Sequence, residues 1–455
     1  MKKFDLTAIL VILAAGLALA GVLAAGSRLP IEIVCNYPAG CTEIGPYGAL
    51  EFEFSRAVQP QLVESLWKTE PAAEGTWDWV DDHRARWHSA RPLPSDGPIV
   101  FAFQPGRAGV NGESIRREFR WSAVLRRPEV IATHEIQEGH ELFAFDMDGQ
   151  DPPRQITNTK GQVYNYNPSP DGEQIALTVV NAGQGMDLWL INRDGSDLRL
   201  ALDCGLDRCM TPTWSPDMKE IIYTRQNAGL VPDGPPGAPR TYIFDPSSGQ
   251  TAPFFEDSQV IGFDASWSPD GKWLSIWNGA KGGIQIVNRE TSEGFLLESF
   301  SGNLGSWAAD SGSLYFANTI IGESSYRSLV YRADIATGTV STILGGNLSG
   351  QGASLENPVV NPADGSLAVA VQPNVKIPGR RLQVLDPESG KGVQITSDLS
   401  VIPSFYSWTP DGSRLVYQLD YLMGKTYDVE IWQWERESGV STLVARGERW
   451  PQWLP

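Results

Sequence analysis

Histidine and cysteine are scarce in this chain, four of each in 455 residues, and the scarcity removes whole classes of chemistry. A zinc peptidase needs two histidines four residues apart on a helix. His134 and His140, with Glu135 and Glu138 between them, stand six apart in what reads as a strand pair with its hairpin loop. His83 and His88 have no nucleophile beside them. A nucleophile elbow, Gly-x-Ser-x-Gly between strand and helix, is missing too. Its nearest match is Gly302-Asn303-Leu304-Gly305-Ser306, and no α/β-hydrolase domain is expected. Basic residues are also in deficit: 36 Lys and Arg against 54 Asp and Glu leave a charge of −18, which excludes nucleic acid as a partner. Neither a metal nor a cofactor is expected.

The chain does hold an apolar run at its start. Lys2 and Lys3 precede Leu6 to Ala25, about the 20 residues needed to cross a bilayer. Residues 1–27 therefore read as a signal peptide, with Ala18-Leu19-Ala20 suiting a signal peptidase, or as an uncleaved transmembrane anchor. Both outcomes put the rest of the chain outside the cytoplasm, in the periplasm, on the cell surface or secreted. An oxidising compartment suits the cysteines, which fall into two close pairs, Cys35 with Cys41 and Cys204 with Cys209, expected as disulfides.

With 46 Gly, 32 Pro and 16 Trp, the chain has residues to punctuate many short elements, which favours an all-β fold. A search for internal repeats finds one signature. It reads Pro168-Ser169-Pro170-Asp171-Gly172, Trp214-Ser215-Pro216-Asp217, Trp267-Ser268-Pro269-Asp270-Gly271, Trp307-Ala308-Ala309-Asp310, Val360-Asn361-Pro362-Ala363-Asp364-Gly365 and Trp408-Thr409-Pro410-Asp411-Gly412. Each copy precedes a strand with alternating β-branched or aromatic residues, such as Glu220 to Thr224. Proline fixes φ, aspartate bonds nearby amides and glycine accepts positive φ, so the motif is a hairpin turn. Asp171, Asp217, Asp270, Asp310, Asp364 and Asp411 are thereby assigned to architecture. A second, Asp-to-Gly turn follows each third strand, as in Asp245 to Gly249.

These repeats resemble the TolB-like, WD40-like family of β-propellers, whose hallmark is the W-S-P-D-G turn. The resemblance covers residues 128–455 and implies four-stranded blades. Before the first copy lie Val130 to Thr133 and Leu142 to Asp146, a blade without its innermost strand, and the tail Pro451-Gln452-Trp453-Leu454-Pro455 repeats the register of Pro212 to Pro216. The tail is expected to complete that blade and close the ring, which removes the open sheet edges. Seven blades follow, with six as the alternative because six is usual in the family. Trp214, Trp267, Trp307, Trp408 and Trp453 mark the repeat.

Residues 30–127 lack the repeat but carry strand patterns at Leu50 to Phe54, Pro98 to Phe103 and Glu118 to Trp121. Their order resembles bacterial Ig-like domains, which implies a small β-sandwich. Trp77 and Trp79 are read as core or near-core aromatics whose alternation keeps them off a common face.

Function is then sought on the surface. Irregular connections at 227–240, 318–327, 346–357, 372–380 and 419–426 fall on one face of a propeller, and variable loops on a rigid scaffold carry specificity. The expected function is a non-enzymatic extracytoplasmic binding or scaffold protein that engages a protein or cell-envelope polymer. The alternative is a glycan hydrolase or lyase with carboxylates at the propeller channel.

Overall fold

The computed structural model describes residues 30–37, 41–48, 50–93, 97–147, 149, 151–229, 234–257, 259–321, 326–344, 353–374, 376–422 and 428–455. The chain divides after Arg126 into two compact units. Both are built almost wholly from β-strands, with a single short helix, Pro60–Leu66, among the described residues.

In the first unit two four-stranded sheets enclose one core. One sheet runs Ile33–Tyr37, Leu50–Phe54, Arg84–Ser89, Gly75–Trp79, and the other Glu43–Ile44, Phe119–Leu125, Ile99–Phe103, Trp67–Glu70. Alternation explains the packing: in Leu50–Phe54 the buried Leu50, Phe52 and Phe54 alternate with more exposed glutamates. Phe52 meets Phe103 of the facing sheet edge to face at 5.1 Å. Trp77 and Trp79 share a face, their rings 6.0 Å apart and nearly parallel. The expected separation was wrong because residues two apart in a strand point the same way. Cys35 is joined to Cys41, across the start of this unit.

The second unit is a succession of four-stranded antiparallel sheets. Arg154–Gln155, Gly139–Asp146 and Glu129–Ile136 form the first of them together with Arg449–Leu454 from the end of the chain. In that pairing Glu129 lies opposite Leu454, Val130 opposite Trp453 and Ile131 opposite Gln452. Two further sets of four strands, beginning at Val163–Pro168 and Arg208–Trp214, are joined by one parallel pair, Met186 with Arg208. The remaining sheets begin at Gly262–Trp267, Ser306–Trp307, Ser354–Val360 and Val401–Trp408. This is an architecture of the propeller-like kind. Cys204 and Cys209 bridge the connection into Arg208–Trp214.

The first strands of consecutive sheets are hydrogen bonded to one another. Gln452 Nε2 donates to the Tyr166 carbonyl at 3.1 Å, and the Trp214 amide to Asn167 Oδ1 at 3.1 Å. Thr213 Oγ1 reaches the Ala265 carbonyl at 3.3 Å, and Trp307 Nε1 the Ser266 carbonyl at 3.3 Å. The Val360 amide donates to Ser306 Oγ at 3.0 Å, Trp408 Nε1 to the Val359 carbonyl at 3.3 Å, and Trp453 Nε1 to the Ser407 carbonyl at 2.9 Å. The series thus returns to the strand that holds Gln452. Trp214, Trp267, Trp307, Trp408 and Trp453 are all buried between sheets.

No helix among the described residues is long and apolar enough to cross a membrane, so the expected transmembrane helix is not found there. The run Leu6 to Ala25, to which the signal peptide or anchor was assigned, lies outside the described residues.

Candidate functional site

Every first strand except Arg449–Leu454 ends in the signature turn, and there the aspartates have fixed partners. Asp171, Asp217, Asp270 and Asp411 accept from the hydroxyl two residues earlier, Ser169 (2.5 Å), Ser215 (2.7 Å), Ser268 (2.6 Å) and Thr409 (2.6 Å). The same hydroxyls accept the amides of Gln174, Glu220, Trp273 and Arg414, which opens the next strand. Sequence reasoning fixed on Pro, Asp and Gly and passed over this hydroxyl. Its signal was present as the Ser or Thr that follows the Trp position. Asp310, with Ala308 in place of the serine, keeps only the Gly312 amide, and Asp364 binds Ser366 and Arg436. Met218, standing where the signature has glycine, holds φ at 63°.

The opposite ends of the same strands are bulged. Three residues before the Trp position, Thr211, Asp264, Asn357, Phe405 and Trp450 have φ between 45° and 58°. The ladder register shifts at each of these positions. Val163–Pro168 is bulged at Tyr164. Because the first strands bond to one another in series, the bulges of consecutive strands neighbour one another, except at Ser306–Trp307, where the register does not shift. Sequence reasoning found none of this, since a bulge residue has no fixed identity.

Among the five residues at that ring position, Asp264 is the one carboxylate. Burial pushes its carboxyl above the ordinary value, and a hydrogen bond with Thr211 opposes the shift. The Asp264 amide donates to Thr224 Oγ1 at 3.0 Å, and Thr211 Oγ1 lies 2.9 Å from the same oxygen. Further round, Asn303 Nδ2 donates to Asn357 Oδ1 at 3.0 Å. This arc offers hydroxyl, amide and carboxyl groups to a ligand. Two turn aspartates, Asp364 and Asp411, titrate the other way: in Asp411, burial raises the value but the bonds from Thr409 and Ser413 outweigh it.

The remaining candidates are dispersed. His134 Nδ1 lies 3.1 Å from Glu448 Oε1, and the His140 ring is edge-on to Trp450 at 5.4 Å. In the first unit His88 Nε2 is 2.6 Å from Thr76 Oγ1, while Asp81, Asp82 and His83 bring ligand atoms within 4.8 Å of one another on the exposed surface. Parts of every irregular connection named above, 230–233, 322–325, 346–352, 375 and 423–426, lie outside the described residues.

No family model and no curated protein matches the sequence. Solved structures do share part of the fold. TolB from Acinetobacter baumannii matches 71% of this chain and 81% of its own at 18% identity, TM-score 0.41. The propeller domain of the Trilobed protease from Pyrococcus furiosus matches 77% and 93% at 12% identity, TM-score 0.48. The acylaminoacyl peptidase of Pyrococcus horikoshii matches 78% of this chain and 51% of its own, again at 12% identity, TM-score 0.49. The resemblance to TolB is partial and is one of fold. The expectation that the chain is not an enzyme is set aside: peptidases and a lyase are among the solved structures of similar fold, and the exposed Asp81, Asp82 and His83 bring together ligand atoms that could hold a metal.

Proposed function

We propose that the unit from Arg127 onward is a closed, seven-bladed, TolB-like propeller that lies outside the cytoplasm and acts on a cell-envelope polysaccharide as a hydrolase or lyase, with Asp264 as the group that carries the proton. The series of hydrogen bonds from strand to strand supports closure and the count of seven. The leader-like start and the two disulfides support export. The preceding unit, in this reading, is an Ig-like sandwich.

One observation carries the activity: a half-buried carboxyl with raised pKa sits on a bulge of a first strand, among hydroxyl and amide groups. A general acid must keep its proton until the leaving oxygen needs it, and burial without a cation does that. Groups so perturbed in a concave site are where chemistry concentrates. Thr211, Asn357 and Asn303 suit a substrate made of hydroxyl groups, and the acidic chain suits a neutral polymer better than an anionic one.

The test is an assay of the purified protein on envelope polysaccharides, following new reducing ends for hydrolysis and unsaturated products for elimination. Asp264→Asn is expected to lower the rate at least 100-fold with the circular dichroism spectrum unchanged. Turnover that survives the substitution would remove Asp264 from the reaction, and absence of either product with the wild-type chain would end the reading.

A further inference from the structure

We infer that the arc of the ring opposite Asp264 is a saccharide subsite whose platform is Tyr164, Phe405 and Trp450. The inference rests on the polysaccharide reading above and adds to it the residues that hold the sugar. These three aromatics come from consecutive first strands: Val401–Trp408 is bonded to Arg449–Leu454 through Trp453 and Ser407, and that strand to Val163–Pro168 through Gln452 and Tyr166. Phe405 and Trp450 occupy the same bulge position, and Tyr164 is the bulged residue of its strand.

Three features set this arc apart. Phe405 is 54% exposed and Tyr164 48%, while every signature tryptophan nearby is buried. An aromatic left in water inside a strand contributes nothing to the core. Phe405 and Trp450 also hold φ at 45° and 58°, the left-handed backbone shared by Thr211, Asp264 and Asn357, and of these five positions only the two in this arc carry an aromatic ring there.

The third feature is polar. Asn165 Oδ1 follows Tyr164, Ser407 Oγ follows Phe405 by two residues, and His140 Nδ1 belongs to the ring packed on Trp450; all three atoms are buried with no hydrogen-bond partner among the described residues. Such atoms are rare in folded proteins and call for water or a ligand. Flat apolar rings beside unpaired donors and acceptors match the two surfaces of a pyranose, its C–H face and its equatorial hydroxyls. With the carboxyl on the other side, a chain crossing the ring would rest one sugar on the platform and present the next linkage toward Asp264.

Binding of maltohexaose, cellohexaose and chitohexaose to the whole protein, measured by calorimetry, tests the subsite. At least one should bind, and Phe405→Ala should weaken it at least 10-fold. Phe405→Gly should weaken it equally while raising Tm, because glycine accepts φ of 45° without strain; a merely structural phenylalanine would not give that split. Asp264→Asn should still bind. Equal affinity of wild type and both Phe405 variants, or no binding of any of the three, would overturn the subsite. Binding lost with Phe405 in a protein without turnover would keep the subsite and sink the activity, while turnover lost with Asp264 but binding untouched by Phe405 would do the reverse.

Discussion

The two ends of each first strand obey different rules. At the turn end, one hydroxyl and one carboxylate bond to each other and to amides within five residues, so the structure is local and repeats whenever Ser-Pro-Asp repeats. At the bulge end, partners come from neighbouring sheets. Tyr406 Oη donates to the carbonyl of Asn357 and accepts from the Ala370 amide at 3.1 Å, and Tyr166 Oη donates to the carbonyl of Trp450. Burial pushes both phenols up. The same residue type responds in opposite ways: Asp411 is held low by its turn, and Asp264 is raised by a ring that gives it a single hydroxyl. Local bonding outweighs burial in Asp411, and burial outweighs the one hydroxyl in Asp264.

The largest break in this comparison should come from the residue between the two ends. Trp453→Ala removes a buried indole and its bond to Ser407 and is expected to cost about 3–5 kcal/mol in urea unfolding, because a cavity opens at the closing strand. Tyr406→Phe attacks the bulge end alone. It strips the Asn357 carbonyl and the Ala370 amide of a buried partner, and a loss of about 1–3 kcal/mol is expected by the same measurement.

At the turn end the sign reverses. Met218→Gly relieves a left-handed backbone at φ 63° and should stabilise by about 1 kcal/mol, seen as a higher urea midpoint with unchanged slope.

Titration sharpens the contrast further. The Asp264 carboxyl is raised on folding, so the native state binds more protons than the unfolded chain, and stability falls as pH climbs from the ordinary carboxylate value through the folded one. Asp264→Asn should therefore be no more stable than wild type in acid and more stable at neutral pH, by thermal unfolding across that range. Asp245 behaves oppositely. Hydrogen bonds from Ser247 and Ser248 lower it to about 2, so its contribution is present above the ordinary carboxylate value and is lost as pH falls toward 2. The side chain is exposed, and this is the smallest effect: Asp245→Asn should flatten the acid limb of the stability profile slightly.

Much of the fold was legible because it is written in local terms. Ser215 through Glu220 spell a turn whatever surrounds them, and the register of the tail against Pro212 to Pro216 pointed to the strand that pairs with Val130. The paired tryptophans of the first unit were equally legible, and only a miscounted alternation placed them on two faces. The candidate site was not legible. Thr211, Asp264, Asn357, Phe405 and Trp450 share a position but no chemistry, so no pattern search could align them.

The sequence alone determined an extended chain of short strands, the positions of their turns and the pairing partners of its cysteines, since each depends on residues a few places apart. Tertiary structure decided which aspartate would be half-buried without a cation, which aromatics would stay in water and which polar atoms would lack partners. Those properties belong to the spacing between sheets, and that spacing is fixed by side chains distant along the chain from the ones it affects.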